Sequence, residues 1–147
     1  MLDAYGYKDK PVTLCHESCY PSSNPGNLTL QEQADYLVRH ALHALAWKMP
    51  QIKLGMISDM GNGTYFSIVG GIGLCRARPE LNVKPAFVAV ATLTRVLDGA
   101  RFARAVPLGS PALYGMEFNR PDGTQAHAFW TLRGKRSVRL LMDRAGP

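Results

Sequence analysis

Between Leu30 and Leu45 apolar residues recur every three or four positions: Leu30, Ala34, Leu37, Ala41 and Leu45, with Val38 and Leu42 widening the stripe. That spacing puts them on one face of a helix. Thr29 and Glu32 stand where a capping box needs them, each side chain reaching the other's backbone N–H, and Pro50 stops the run. A second helix is predicted from near Asn82, with Pro85 in its first turn. It runs through Ala86, Val90, Leu93 and Leu97 and closes at Gly99. Pro11–Cys15 and Ile52–Ile57 are short apolar and β-branched runs, the composition of buried strands. Met1–Tyr5 reads as the last turn of a helix, with Gly6 suited to its C-terminal cap. Between Met60 and Asn82 the chain is loop-like, with five glycines. Strand, helix, strand, helix is the order of parallel β/α units.

After Gly99 the period changes to two. Ala112–Asn119, Thr124–Thr131 and Ser137–Met142 are expected strands, joined by the turn sequences Arg120-Pro121-Asp122-Gly123 and Arg133-Gly134-Lys135. The expectation is a small antiparallel β module over 101–147, following a β/α portion over 1–100, with the boundary between Gly99 and Arg104. Phe129 and Thr131 alternate with Trp130, which makes Phe129 a candidate core residue. Two β/α units cannot close a barrel, and an open parallel sheet needs both faces covered. The β/α portion is therefore expected to belong to something larger. It should leave a sheet edge open beside Val12–Cys15, a place for self-association.

Composition narrows the class. The chain has 147 residues, 46% of them hydrophobic, which suits an ordinary globular domain. No window of about 18 apolar residues is free of charge, so no membrane span is expected, and Met1–Lys10 holds no apolar signal-peptide core. The net charge is +6, but the basic residues are scattered. Even the densest group, Arg133, Lys135, Arg136 and Arg139, alternates with turn and strand residues, so nucleic acid is not an expected partner. Three cysteines, Cys15, Cys19 and Cys75, are too few for a disulfide scaffold and leave the redox compartment open.

The candidate chemistry centres on Glu17, where the first predicted strand gives way to a loop. Catalytic groups of β/α barrels stand at the C-terminal ends of strands. A carboxylate followed by Ser18, Cys19 and Tyr20 suits a sugar, whose ring stacks on an aromatic while polar groups bind its hydroxyls. It equally suits a solvated loop carboxylate. Asp59, after the second predicted strand, is a candidate sugar contact or second carboxylate, or a loop cap bonding the N–H of Gly61 or Asn62. His16 is a candidate partner orienting Glu17, or points to the opposite face; Tyr20 stacks on a sugar or packs the loop. Cys15, Cys19, His40 and His43 give the spacing C-x3-C-x20-H-x2-H, with a linker too long and a histidine pair too tight for a zinc site. Gly70-Gly71-Ile72-Gly73 lacks the dinucleotide and P-loop spacings and reads as a turn.

Lys10-Pro-Val-Thr-Leu-Cys-His-Glu-Ser-Cys-Tyr-Pro-Ser-Ser23 resembles the seventh strand of the (β/α)8 glycoside hydrolases of clan A, an apolar run ending in Glu before small residues and an aromatic. Thr29–Arg39 resembles the seventh helix and Ile52–Asp59 the eighth strand. Gly73-Leu-Cys75 with Val83–Thr94 resembles the eighth helix and its approach. The antiparallel strands that follow resemble the small β domain carried by many such enzymes. The resemblance implies an α/β fold: a partial TIM barrel of strands 7–8 and helices 7–8, then the β module. It implies retaining hydrolysis of O-glycosyl bonds with Glu17 as nucleophile, a carbohydrate substrate, and no metal or organic cofactor. Retaining chemistry needs a second carboxyl about 5–5.5 Å away. In clan A it follows strand four, usually after Asn, and no Asn-Glu pair occurs in this sequence. The chain alone is thus expected to be inactive. The alternative is a β/α plus β module that binds carbohydrate or a protein without catalysis.

Overall fold

The computed structural model describes residues 2–8, 10–17, 28–54, 56–60 and 71–139, with the side chains of residues 2, 3 and 14–17 outside that description. The chain divides into two compact units, Met1–Gly99 and Ala100–Pro147.

In the first unit a 3-10 turn, Leu2–Tyr5, ends at Gly6, whose φ of 76° is a conformation glycine adopts without strain. Strand β1 is Leu14–Glu17, helix α1 Leu30–Ala46, strand β2 Ile52–Leu54 and helix α2 Pro85–Val96. β1 and β2 are parallel, with Leu14 opposite Ile52 and Glu17 opposite Leu54. Three steps along β1 match two along β2, so β1 carries a bulge. The predicted strand Pro11–Cys15 is thus shifted toward its C-terminal side. Pro50, two residues before Ile52, offers no N–H with which to extend the ladder toward Pro11. The second predicted strand, Ile52–Ile57, is shorter than expected. Past Leu54 the chain finds a different partner: Met56 and Ile57 carbonyls accept from the N–H groups of Leu74 and Cys75, at 3.2 and 2.8 Å. The region expected to be only loop therefore closes a small ladder, with Ser58 parallel to Cys75 and Cys75 antiparallel to Val83.

α1 begins as its sequence dictates. The Thr29 hydroxyl accepts from the Glu32 N–H at 3.1 Å, and the Glu32 carboxylate accepts from the Thr29 N–H at 2.7 Å. That exchange holds the Glu32 carboxyl below its ordinary range. The buried face of α1 holds Ala34, Leu37, Ala41, Leu42 and Ala44, together with Gln33. Ala34 and Leu37 meet Ala86 of α2, with Leu28, Leu54, Leu74, Ala89 and Val90 packed around them. Ala86 is the only buried residue of α2, and Phe87, Val88 and Val96 are exposed.

The second unit is a three-stranded antiparallel sheet in the order β3-β4-β5, formed by Arg101–Ala105, Leu113–Asn119 and Gln125–Thr131. The β4–β5 hairpin has the predicted turn. Asp122 accepts from the Thr124 N–H and hydroxyl at 2.9 and 2.6 Å, and Gly123 supplies φ 83°. Two findings differ from expectation. β3 lies in a stretch whose alternation is broken by a bulge at Ala103, between the pairs Phe102–Phe118 and Arg104–Glu117. The predicted strand Ser137–Met142 shows no ladder over Ser137–Arg139, and its remainder lies outside the described residues. Tyr114 stacks on Trp130, with ring centroids 5.1 Å apart, and Phe102 meets Phe118 edge to face at 5.8 Å. Phe118 is fully buried, whereas Phe129 is half-buried.

On the opposite face of β4, Glu117 is buried among three donors: Arg104 at 2.7 Å, Gln125 at 3.2 Å and His127 at 3.4 Å. The hydrogen bond from Arg104 first, and then the arginine charge and His127, hold the Glu117 carboxyl below its ordinary range against the opposing effect of burial. A depressed carboxylate stabilises the fold fully above its unfolded value of 4.5 and loses that contribution as pH falls through the lower folded value. Stability measured by urea unfolding should therefore decline below pH 4.5, and Glu117→Gln should flatten that part of the decline. In the same assay Phe118→Ala should cost about 3–5 kcal/mol, and Phe129→Ala clearly less.

Candidate functional site

The end of β1 and the chain beyond β2 carry the predicted site residues. Glu17 is the last residue of β1, its backbone in register with Leu54, the last residue of β2. The register shift of β1 lies between Leu14 and Glu17. His16 precedes Glu17 in the same strand; the side chains of both lie outside the described residues, as does all of Tyr20. Asp59 follows Leu54 by five positions, on the run that continues from the C-terminal end of β2. Glu17 thus ends β1, and Asp59 lies five residues beyond the end of the strand parallel to it.

Asp59 is 8% exposed and already engaged. Its Oδ1 accepts from the Gly73 N–H at 2.8 Å and from Lys84 Nζ at 2.9 Å. The Lys84 side chain is 1% exposed, and its ammonium also donates to the Gly71 carbonyl at 2.8 Å. From the other side, Gln33 Nε2 donates to the Gly71 carbonyl at 3.1 Å and lies 3.5 and 3.4 Å from the carbonyls of Ile72 and Gly73. The glycine-rich turn is held by side chains from α1, from the N-cap of α2 and from the chain beyond β2. Gly73 must be glycine, because a Cβ there would overlap the backbone of Ser58 and Asp59. The loop-cap alternative for Asp59 named Gly61 and Asn62, which lie outside the described residues.

Lys84 and Gln33 were not among the sequence candidates, though each left a trace. Lys84 is the N-cap of α2, with φ −96° and ψ 162°, and makes no side-chain cap bond. Helix N-caps favour Ser, Thr, Asp or Asn, whose oxygens accept from the first turn; lysine has no acceptor, and here its ammonium goes to Asp59 instead. Gln33 interrupts the apolar face of α1 next to Ala34, and a buried amide requires polar partners.

The four groups of the zinc spacing are not shown together. Cys19 and the Cys15 side chain lie outside the described residues. His40 stacks on Tyr36 at 5.6 Å, and His43 faces Trp47 at 5.8 Å. Among the described residues there is no group of three metal-ligating side chains, and no helix long and apolar enough to cross a membrane. The Cys75 thiol is free and buried.

No protein-family model matches the chain, and no curated protein matches it. A solved structure does. The chain is similar to a family 39 glycoside hydrolase from the gut symbiont Bacteroides cellulosilyticus WH2, with a TM-score of 0.72 and 21% identity. The match covers 91% of this chain, which spans 26% of the length of that enzyme. The two helices and the three-stranded antiparallel sheet thus have the fold of one part of a glycoside hydrolase.

Gly73→Ala should destabilise the first unit by about 2 kcal/mol or more, since the overlap is with backbone that cannot rotate away. Urea unfolding followed by far-ultraviolet circular dichroism measures it.

Proposed function

We propose that this chain is the C-terminal portion of a retaining glycoside hydrolase, comprising the last two β/α units of a (β/α)8 barrel followed by a β module. The observation that carries the reading is the position of Glu17. It is the last residue of a parallel strand, in a chain whose fold matches one part of a solved glycoside hydrolase. The clan A resemblance of Lys10–Ser23 puts the nucleophile at that same residue. Two features support a larger barrel. Among the described residues β1 and β2 pair only with each other, and α2 buries only Ala86.

In the complete enzyme the Glu17 carboxylate attacks the anomeric carbon while a second carboxyl protonates the leaving oxygen. The glycosyl-enzyme ester is then hydrolysed by water that the second carboxyl activates. His16 orients Glu17, and Tyr20 stacks on the sugar ring. Asp59 lies five residues beyond the neighbouring strand β2, with Lys84 fixing its carboxylate in place. The acid/base carboxyl belongs to an earlier strand of the barrel, so the 147-residue chain by itself is inert toward aryl glycosides.

The test begins with the upstream reading frame, which should encode six further β/α units and an Asn-Glu motif. In that complete enzyme Glu17→Gln should abolish turnover and leave sugar binding largely intact, because the amide keeps the shape but cannot form the ester. Glu17→Gly with added azide should yield a glycosyl azide of inverted configuration. Normal turnover by the Gln variant overturns the assignment.

A further inference from the structure

We propose that Asp59, Lys84 and Gln33 form a buried clamp. It sets the position of the Gly71–Cys75 segment against the chain leaving β2, and makes Lys84 and Gln33 positioning residues of the strand-end site. That they serve a sugar site rests on the glycosidase reading; the clamp itself rests on geometry.

Contacts from three side chains converge on this one segment. The Lys84 ammonium, 1% exposed, bridges the Asp59 carboxylate and the Gly71 carbonyl. The Asp59 carboxylate in turn accepts the Gly73 N–H, so a single oxygen joins α2's cap to the turn. Gln33, contributed by α1, faces the carbonyls of all three residues Gly71–Gly73. Beyond the turn, backbone bonds continue the attachment: Cys75 N–H to Ile57 O at 2.8 Å, Asp59 N–H to Cys75 O at 2.9 Å and Lys84 N–H to Leu74 O at 3.0 Å.

The choice of residues is costly unless position is what they supply. A lysine at an N-cap forgoes the cap bond, and a buried ion pair is weak support for stability compared with apolar residues of the same volume. What such a pair does supply is direction. An ammonium with three donors on one point, set between a carboxylate and a carbonyl, is satisfied in a narrow range of backbone positions. Asp59, held in this way, acts on the site through the backbone it fixes, not as a ligand to a hydroxyl.

Hydrogen exchange on the 147-residue chain, resolved by NMR, tests the clamp without any sugar, so its outcome is independent of the glycosidase reading. Three variants are compared with the parent: Lys84→Met, the double variant Asp59→Asn with Lys84→Met, and Gln33→Leu. The double variant leaves no lone buried charge, so it separates positioning from the penalty of an unpaired ion. Each variant should lower protection at the Gly73 and Cys75 amides at least tenfold. In the double variant and Gln33→Leu, protection in the middle of α1, around Leu37–Ala41, should stay within about twofold of the parent. Unchanged protection at Gly73 and Cys75 in the double variant overturns the proposal. So does an equal fall across the whole first unit in both of these variants, which would make the network a contributor to general stability only.

Discussion

A carboxylate and an ammonium, both withdrawn from water, sit 2.9 Å apart where the chain leaves β2. Neither tolerates burial alone, since an isolated ion in a low-dielectric interior loses far more solvation than packing returns. Asp59 therefore requires Lys84, and Lys84 requires α2 to begin where it does, at Pro85. With α2 started there, Ala86 falls against Ala34 and Leu37 of α1. Gln33, one residue from Ala34, then reaches the same glycine turn. The polar pair and the small apolar core are thus two sides of one constraint. The alanines let the two helices pack, and that packing brings Gln33 of α1 to the turn that Lys84 also holds.

The regular parts of this arrangement were open to sequence reasoning because they follow from local rules. The Thr29–Glu32 capping box, the stripe from Ala34 to Ala41, proline at the start of α2 and the Asp122-Gly123 turn each depend on residues within a few positions of one another. What escaped depends on distant partners. β3 escaped because a bulge at Ala103 breaks its alternation, so Arg104 faces Glu117 where a simple period would not put it. Ile52–Ile57 has the composition of one strand, and nothing local says that Met56 and Ile57 bond to residues near Cys75. The Gly71–Gly73 turn could be read as a turn. Its role as the receptor of Lys84 and Gln33 could not, since those donors lie 13 and 38 positions away. Of the site itself, the placement of Glu17 at a strand end was legible from the apolar run before it, and the engagement of Asp59 was not.

The two units differ in how much of their apolar surface they cover. In the second, β4 is buried over Gly115–Phe118, with aromatic pairs across the hairpin and a satisfied Glu117. In the first, α2 is rich in apolar residues but buries only one, and Phe87, Val88 and Val96 face outward with Met56 and Ile57 also exposed. A helix of a closed barrel has neighbours on both sides, and the proposed parent enzyme would provide them.

The chain's two tryptophans fall one in each unit, in opposite environments. Trp47 follows the end of α1 and is 66% exposed, so its indole is largely in water whether or not the helix is formed. Trp130 is half-buried and lies parallel to Tyr114, at an interplanar angle of 11°. Intrinsic fluorescence is consequently a lopsided witness. Its emission shift on denaturation reports the melting of the β hairpin, while the β/α unit, which holds Glu17 and the buried ion pair, can come apart almost unseen by it.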